Sequence, residues 1–169
     1  MSEESRIKII PLGGLGEIGK NMTAIRYQDS IVIIDAGLMF PEEELLGIDI
    51  VIPDISYLME NKDKVKAILL THGHEDHVGG LPYVLKEINV PVYGSRLTLG
   101  IVEEKLKEHN LGSVQLQVVR PRDVISISPF EVEFIRVSHS IPDALAIALH
   151  TPLGIVLHTG DIKLDQTPV

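Results

Sequence analysis

Residues 71–80, Thr-His-Gly-His-Glu-Asp-His-Val-Gly-Gly, are the stretch that most constrains the fold and the chemistry of this chain. Three histidines and two carboxylates fall within residues 72–77. The preceding residues 65–70 are mostly apolar and include β-branched side chains, which predicts a buried strand. We therefore expect the cluster on a turn at the C-terminal end of a strand, where α/β folds expose functional residues.

The side chains of this cluster are those that bind zinc and related divalent ions. His72 and His74 are two residues apart, so in an extended chain they point to one side and can bind one ion. Asp76 and His77 follow the turn and can face a second ion. The chain has no cysteine, so a metal site here uses nitrogen and oxygen ligands and can keep a position open for water. The alternative, a polar turn with coincidental histidines, is disfavoured because unpaired polar groups at a buried strand end are costly.

Strand and helix patterns alternate along the chain, and further polar residues stand where predicted strands end. Asp35 ends one strand, where a turn or capping role is the alternative. His139 and Asp161 directly follow two others, and we interpret His158 as a core residue or a support for a ligand. The predicted strands are 6–10, 22–27, 30–36, 65–70, 91–94, 114–120, 124–127, 130–137, 144–150 and 154–158, and the predicted helices are 54–64, 81–88 and 95–109, with Ser95 as the cap of the last.

Residues 14–19 match the dinucleotide-binding pattern G-x-G-x-x-G, but the context of that pattern is wrong. The pattern requires a helix directly after the glycines. Residues 22–27 instead predict a strand, followed by a turn and a second strand. We therefore reject a dinucleotide site and expect the glycines to let the backbone pass close to the metal site or its substrate.

Length, composition and charge limit the kinds of membrane segment and binding partner that the chain can have. The length of 169 residues suits one globular domain, and no apolar stretch approaches the ~20 residues of a membrane span or forms a signal-peptide core. The absence of cysteine fits a reducing cytoplasm. The net charge of −9 argues against a nucleic-acid partner, although two divalent ions would offset about four of those charges locally.

Four motifs together closely resemble ribonuclease J, the bacterial and archaeal branch of the β-CASP nucleases in the metallo-β-lactamase superfamily. They are residues 13–21, residues 71–80, Ser-His-Ser-Ile-Pro-Asp at 138–143 and His-Thr-Gly-Asp at 158–161. The resemblance implies an α/β fold, the αββα sandwich of the superfamily. It also implies that residues 1–169 are the N-terminal portion of the metallo-β-lactamase domain, without the β-CASP insert and the C-terminal parts.

The resemblance also implies a ligand set. One ion would be bound by His72, His74 and His139, and a second by Asp76 and His77, with Asp161 bridging the two. Asp76, His77 and Asp161 would be the catalytic residues, while Asp35 and His158 would orient ligands without binding metal. Some family members hold calcium in an acidic loop, and the matching positions are Gly47 and Asp49. Zinc suits the main site, and manganese is the alternative.

The implied activity is hydrolysis of RNA phosphodiesters by a hydroxide activated between two metal ions, from the 5′ end and internally, in RNA decay and in rRNA and mRNA processing. A full-length enzyme would work in the cytoplasm as a homo-oligomer or in an RNA-decay complex, with no membrane partner. The family's last metal-binding histidine and its phosphate-binding histidines lie in the absent parts, so we expect this chain to bind metal and to cleave RNA weakly or not at all. The alternatives are another hydrolase of the superfamily, acting on thioesters or lactams, and a non-catalytic subunit of a nuclease complex.

Overall fold

The computed structural model describes residues 6–41 and 47–164, and their strands form two sheets. The first sheet has six strands in the order β1 (Ile7–Gly13), β2 (Met22–Tyr27), β3 (Ser30–Ile34), β4 (Val65–Leu69), β5 (Val92–Gly94) and β6 (Leu116–Val118). The second sheet contains β7 (Val124–Ile127), β8 (Phe130–Arg136), β9 (Leu145–Thr151) and β10 (Gly154–His158), and each strand lies beside the next one in sequence. The helices are α1 (Ser56–Glu60), α2 (Glu75–Val78), α3 (Leu81–Glu87) and α4 (Arg96–Glu108), and a 3-10 turn spans Lys62–Lys64.

Strand direction determines which ends meet. β1, β2 and β3 pair antiparallel, whereas β3, β4, β5 and β6 pair parallel. The antiparallel β1–β2–β3 start confirms that the glycine loop is not a dinucleotide-binding βαβ unit. In the second sheet every pair is antiparallel, so β8 and β10, on either side of β9, run in the same direction. The C-terminal ends of β3 and β4, and likewise those of β8 and β10, therefore lie at common edges.

The first sheet is covered on both faces, which gives three layers. One apolar cluster includes residues from all four helices, among them Leu58, Val78 and Val102, packed on the first sheet. The other cluster lies between the sheets, where Val32 and Leu69 meet Phe130 and other inward residues of β8 and β9. The alternation in β8 is clean up to Phe134, with Phe130, Val132 and Phe134 buried. One layer of helices and two layers of sheet confirm the predicted α/β sandwich class. No second helical layer occurs among residues 6–41 and 47–164.

Several element boundaries differ from the prediction for local reasons. The helix predicted at 54–64 is only α1 and the 3-10 turn, because Asp54 binds the amide of Ser56 at 2.8 Å and the side chain of Asn61 binds the carbonyl of Tyr57 at 2.9 Å. The strand predicted at 114–120 is confined to β6. Ser95 caps α4 as predicted, accepting a hydrogen bond from the amide of Thr98.

Residues 75–78, predicted as part of a turn, form the short helix α2. A four-residue helix has little stability of its own. Tertiary hydrogen bonds hold it, because the amide of Ala36 donates to the carbonyl of His77 at 2.8 Å and that of Leu38 donates to the carbonyl of Glu75 at 3.1 Å.

Among the described residues, no helix is long and apolar enough to cross a membrane.

Replacing Phe134 by alanine tests the core between the sheets. Phe134 is fully buried, so Phe134→Ala should lower the free energy of unfolding by about 3–5 kcal/mol in urea denaturation. Ile135 is the matched control, since it is the next residue on the opposite face and is 38% exposed. Ile135→Ala should cost about 1 kcal/mol or less. Equal losses for the two variants would contradict the packing described here.

Candidate metal centre

The ends of four strands bring the polar residues of the site together. Asp35 follows β3, and Thr71 and His72 follow β4. His139 follows β8, and Asp161 follows β10. The amide of Leu145 donates to the carbonyl of Thr71 at 2.9 Å, which joins the two sheets at this edge. Residues far apart in sequence therefore converge because β3 pairs parallel with β4, and β8 and β10 run in the same direction on either side of β9.

The first group of possible ligands consists of His72, His74 and His139. Nδ1 of His74 lies 3.0 Å from Nε2 of His72 and 3.2 Å from Nε2 of His139. Four ligands at the usual zinc–nitrogen distance around a tetrahedral ion are about 3.3 Å apart. The spacing of these three nitrogens therefore fits a shared divalent ion, and these are the three histidines predicted to bind the first ion.

The second group consists of His72, His77 and Asp161, whose ligand atoms also lie within 4.8 Å of one another. His72 belongs to both groups because it lies between them, with its ring centre 4.0 Å from that of His77 and 4.6 Å from that of His74. The prediction gave His72 to the first ion alone, and this assignment stays a prediction. Asp76, predicted to bind the second ion, belongs to neither group, although its Oδ2 lies 3.5 Å from Nε2 of His77.

The carboxylate of Asp161 spans the two groups. Its Oδ1 lies 3.4 Å from Nε2 of His77, and its Oδ2 lies 3.8 Å from Nε2 of His139. One oxygen therefore faces each group, which is the arrangement expected of a bridging carboxylate. Gly160, just before it, has a positive φ of 56°, and a Cβ there would come 3.0 Å from the side chain of Thr71. Glycine thus lets the loop approach β4 closely enough to place Asp161.

Asp35 lies beneath the histidines and contacts His77 directly and His72 through Thr71; its predicted role of orienting ligands stays a prediction. Its Oδ1 accepts from the amide of Thr71, and its Oδ2 accepts from the hydroxyl of Thr71 and from Nδ1 of His77, each at 2.8 Å. Because the hydroxyl proton of Thr71 goes to Asp35, the hydroxyl oxygen accepts from Nδ1 of His72, 3.0 Å away. Nδ1 of each histidine is therefore hydrogen-bonded, and in the neutral form of each ring the proton lies on Nδ1 and the lone pair of Nε2 can bind a metal.

Burial and charge set the protonation of these groups. Burial, together with the charge of His77, lowers the pKa of His72 to about 3, so His72 is neutral at pH 7 and able to bind metal. Burial alone would raise the pKa of Asp35, but its hydrogen bond and ion pair with His77 outweigh burial and keep this pKa below the usual value. Burial would likewise lower the pKa of His77, yet the hydrogen bond and charge of Asp35 raise it. Burial lowers the pKa of His139.

The remaining predicted site residues lie near the centre or apart from it. Nδ1 of His158 accepts from the amide of Gly160 at 3.2 Å, so His158 shapes the loop that carries Asp161. Gly47 and Asp49, predicted as calcium positions, are exposed and belong to neither ligand group among residues 6–41 and 47–164. The other residues of that acidic loop, 42–46, lie outside the described residues, and the calcium site stays a prediction.

Two residues of the site escaped the sequence reasoning. In the sequence Thr71 is only the residue before His72. In the fold its hydroxyl donates to Asp35, because Asp35 follows the neighbouring parallel strand. Asn21 closes the glycine loop, and its side-chain nitrogen lies 3.1 Å from Oδ2 of Asp76 and 3.1 Å from Nε2 of His77. A polar residue directly after a glycine loop was the available signal.

Comparison with known proteins gives close relatives over the chain. It is 49% identical to ribonuclease J of Thermus thermophilus over 98% of its own length and 30% of that protein. It is 47% identical to ribonuclease J of Synechocystis, covering 99% of the chain and 27% of the relative, and 49% identical to ribonuclease J 2 of Staphylococcus aureus, covering 95% and 29%. The chain therefore spans less than a third of the length of these relatives.

Solved structures share the fold at low sequence identity. A protein of unknown function from Enterococcus faecalis superposes with a TM-score of 0.70 at 22% identity, covering 95% of this chain and 44% of the other. A diphosphatase of the PhnP family superposes with a TM-score of 0.62 at 18% identity, covering 85% and 62%. The family model of the metallo-β-lactamase superfamily matches residues 15–166, and the chain belongs to that superfamily.

Proposed function

We propose that this chain is the metal-binding portion of a ribonuclease J-type nuclease that hydrolyses RNA phosphodiesters. The observation that supports this most is the pair of ligand groups sharing His72, found in a chain 47–49% identical to ribonucleases J along nearly all of its length. The fold and the donor set fit divalent ions. We further propose two ions per site, zinc by preference and manganese as the alternative.

The proposed roles follow the geometry. His72, His74 and His139 would hold one ion, His77 would hold the other, and Asp161 would bridge them with one oxygen on each side. Two divalent ions supply a Lewis acid for phosphate oxygens and lower the pKa of a water between them. His72 and His77 keep their Nε2 lone pairs available because Asp35 and Thr71 hold the protons on Nδ1.

Asp76 would bind the second ion together with His77, and we propose a second role for it. It is half-exposed, and its carboxylate lies 3.5 Å from Nε2 of His77 and is held by Asn21. A carboxylate at the open side of the centre can accept a proton from an attacking water and orient it. Asp76 would thus position the nucleophile, while the buried Asp35 positions the ligands.

We also propose where the rest of the enzyme is needed. The relatives extend well beyond the matched region, so residues 1–169 would supply most of the metal site, and other parts would supply further phosphate contacts and the β-CASP domain. A full-length enzyme of this kind would act in the cytoplasm, as a homo-oligomer or within an RNA-decay complex.

Metal content of three variants tests the ligand assignment. A single Nε2 lone pair binds one ion, so His72→Ala and His139→Ala should each remove about one ion of about two, and His77→Ala should remove the other. The measurement is metal per chain by mass spectrometry after dialysis. His150 is the matched control, because it pairs with Glu133 between β8 and β9 and belongs to neither group. Full metal content in His72→Ala would contradict the assignment.

Asp35→Asn tests how the buried carboxylate orients the ligands. An amide that donates to Nδ1 of His77 would shift the imidazole proton to Nε2 and block that lone pair. We expect a loss of about 10–100-fold in metal affinity by competition with a chelator. Asp63, exposed on the 3-10 turn, is the control, and Asp63→Asn should bind metal normally. An Asp35→Asn variant that is folded and binds metal like wild type would overturn the role of Asp35.

The substrate class is tested by offering the metal-loaded chain three substrates in single-turnover assays with protein in excess. They are a 5′-monophosphorylated RNA, a thioester and a β-lactam. We expect slow cleavage of RNA alone, because the chain carries only part of the substrate site, and we expect loss of this activity in His74→Ala and with chelator. Hydrolysis of the thioester or the lactam that depends on His74 would favour another hydrolase of the superfamily.

A further inference from the structure

We propose that Asn21 is a positioning residue of the metal centre, whose side-chain amide holds the carboxylate of Asp76 facing His77. This inference rests on the proposed function only in assuming that the centre binds divalent ions. It also gives a role to the glycine loop at residues 13–21, which the ligand assignment leaves unexplained.

The side chain of Asn21 contacts two residues of the His-rich motif with a single nitrogen. Nδ2 donates to Oδ2 of Asp76 at 3.1 Å and lies 3.1 Å from Nε2 of His77. The lone pair of Nε2 in His77 is needed for the proposed ion, so the hydrogen bond through which Asn21 acts is the one to the carboxylate of Asp76. The carboxylate is thereby kept on the side of His77 where the second ligand group lies.

The backbone fixes where this side chain starts. The amide of Asn21 donates to the carbonyl of Asp76 at 2.9 Å, and the carbonyl of Asn21 accepts from the amide of Gly37 at 3.0 Å. A Cβ at Gly37 would come 1.6 Å from the carbonyl oxygen of Asp76, so only glycine permits this approach. These contacts involve main-chain atoms only, so we expect a substitution of the Asn21 side chain to isolate the contribution of the amide.

The glycine loop gives the amide its space. Gly14 has a positive φ of 80°, and a Cβ there would come 2.4 Å from Oδ1 of Asn21. A larger residue at position 14 would push the amide away from Asp76. The loop is closed by Glu17, which accepts from the amide of Gly14 at 3.1 Å and pairs with Lys20 at 3.1 Å. Gly14 therefore makes room for a side chain of the site, which gives this glycine a role without a bound nucleotide.

The test is a double-mutant cycle with metal affinity as the readout. Asn21→Leu keeps a similar volume and removes the donors, while Asp76→Ala removes the group on which Asn21 acts. Dissociation constants for zinc and manganese are measured by chelator competition on the 169-residue chain. We expect Asn21→Leu to weaken binding of the weaker-bound ion by about tenfold in the wild-type background and to change nothing in the Asp76→Ala background. Equal losses in both backgrounds, or no loss in the wild-type background, would overturn the inference.

Controls separate positioning from folding. Asn89, exposed after α3, is the matched asparagine, and Asn89→Leu should bind metal like wild type. Melting of the metal-free proteins shows whether Asn21→Leu folds, and Asn21→Ala replaces it if it does not. Gly14→Ala should reproduce the affinity loss, whereas Gly112→Ala, at a position with open space around it, should not. A wild-type chain that binds no divalent ion would overturn the proposed function together with this inference, whereas normal ion binding in Asn21→Leu overturns this inference alone.

Discussion

The buried carboxylate of Asp35 is the interaction on which the centre depends. Asp35 is 1% exposed and occupies a left-handed backbone conformation with φ of 60°, which is unfavourable for a residue with a side chain. A charge so deeply buried is tolerated only with full hydrogen bonding. Its three hydrogen bonds, two from Thr71 and one from His77, meet that need and at the same time decide which nitrogen of each ligand is protonated. The hydrogen bonds that offset the cost of burying this charge are therefore the same ones that orient the ligands.

Sheet topology makes that arrangement possible. Asp35 and Thr71 end adjacent parallel strands, so their separation is fixed by strand pairing rather than by loop conformation. The second sheet contributes His139 and Asp161 from two strands that run in the same direction on either side of β9. The loops themselves carry small residues where backbone segments touch, as at Gly37 and Gly160. The site is built on strand ends, and it reaches solvent through the side chains of Asp76 and Asp161, which are 35% and 45% exposed.

Hydrophobic periodicity predicted most of the strands, whereas the sandwich fold class and the grouping of His139 with His72 and His74 came from the resemblance to ribonuclease J. The sequence did not predict α2, since a four-residue helix is stabilised by hydrogen bonds from Ala36 and Leu38, some forty residues away in sequence. It also missed Thr71 and Asn21, whose roles arise from neighbours on other strands. His72 belongs to two ligand groups because of where it lies in the folded chain, and the spacing of residues along the sequence does not predict this.

The charge of −9 and the proposed RNA substrate conflict only if the proposed divalent ions are left out. Asp35, Asp76 and Asp161 all lie within 3.5 Å of a nitrogen of His77, and their field raises the pKa of that imidazole. Near this edge Lys105 is already paired with Glu75, and Lys20 with Glu17. A phosphate group approaching such a surface meets carboxylates unless divalent ions are bound first. On this reasoning the acidic centre selects cations, and the cations in turn provide the positive charge that a phosphodiester requires.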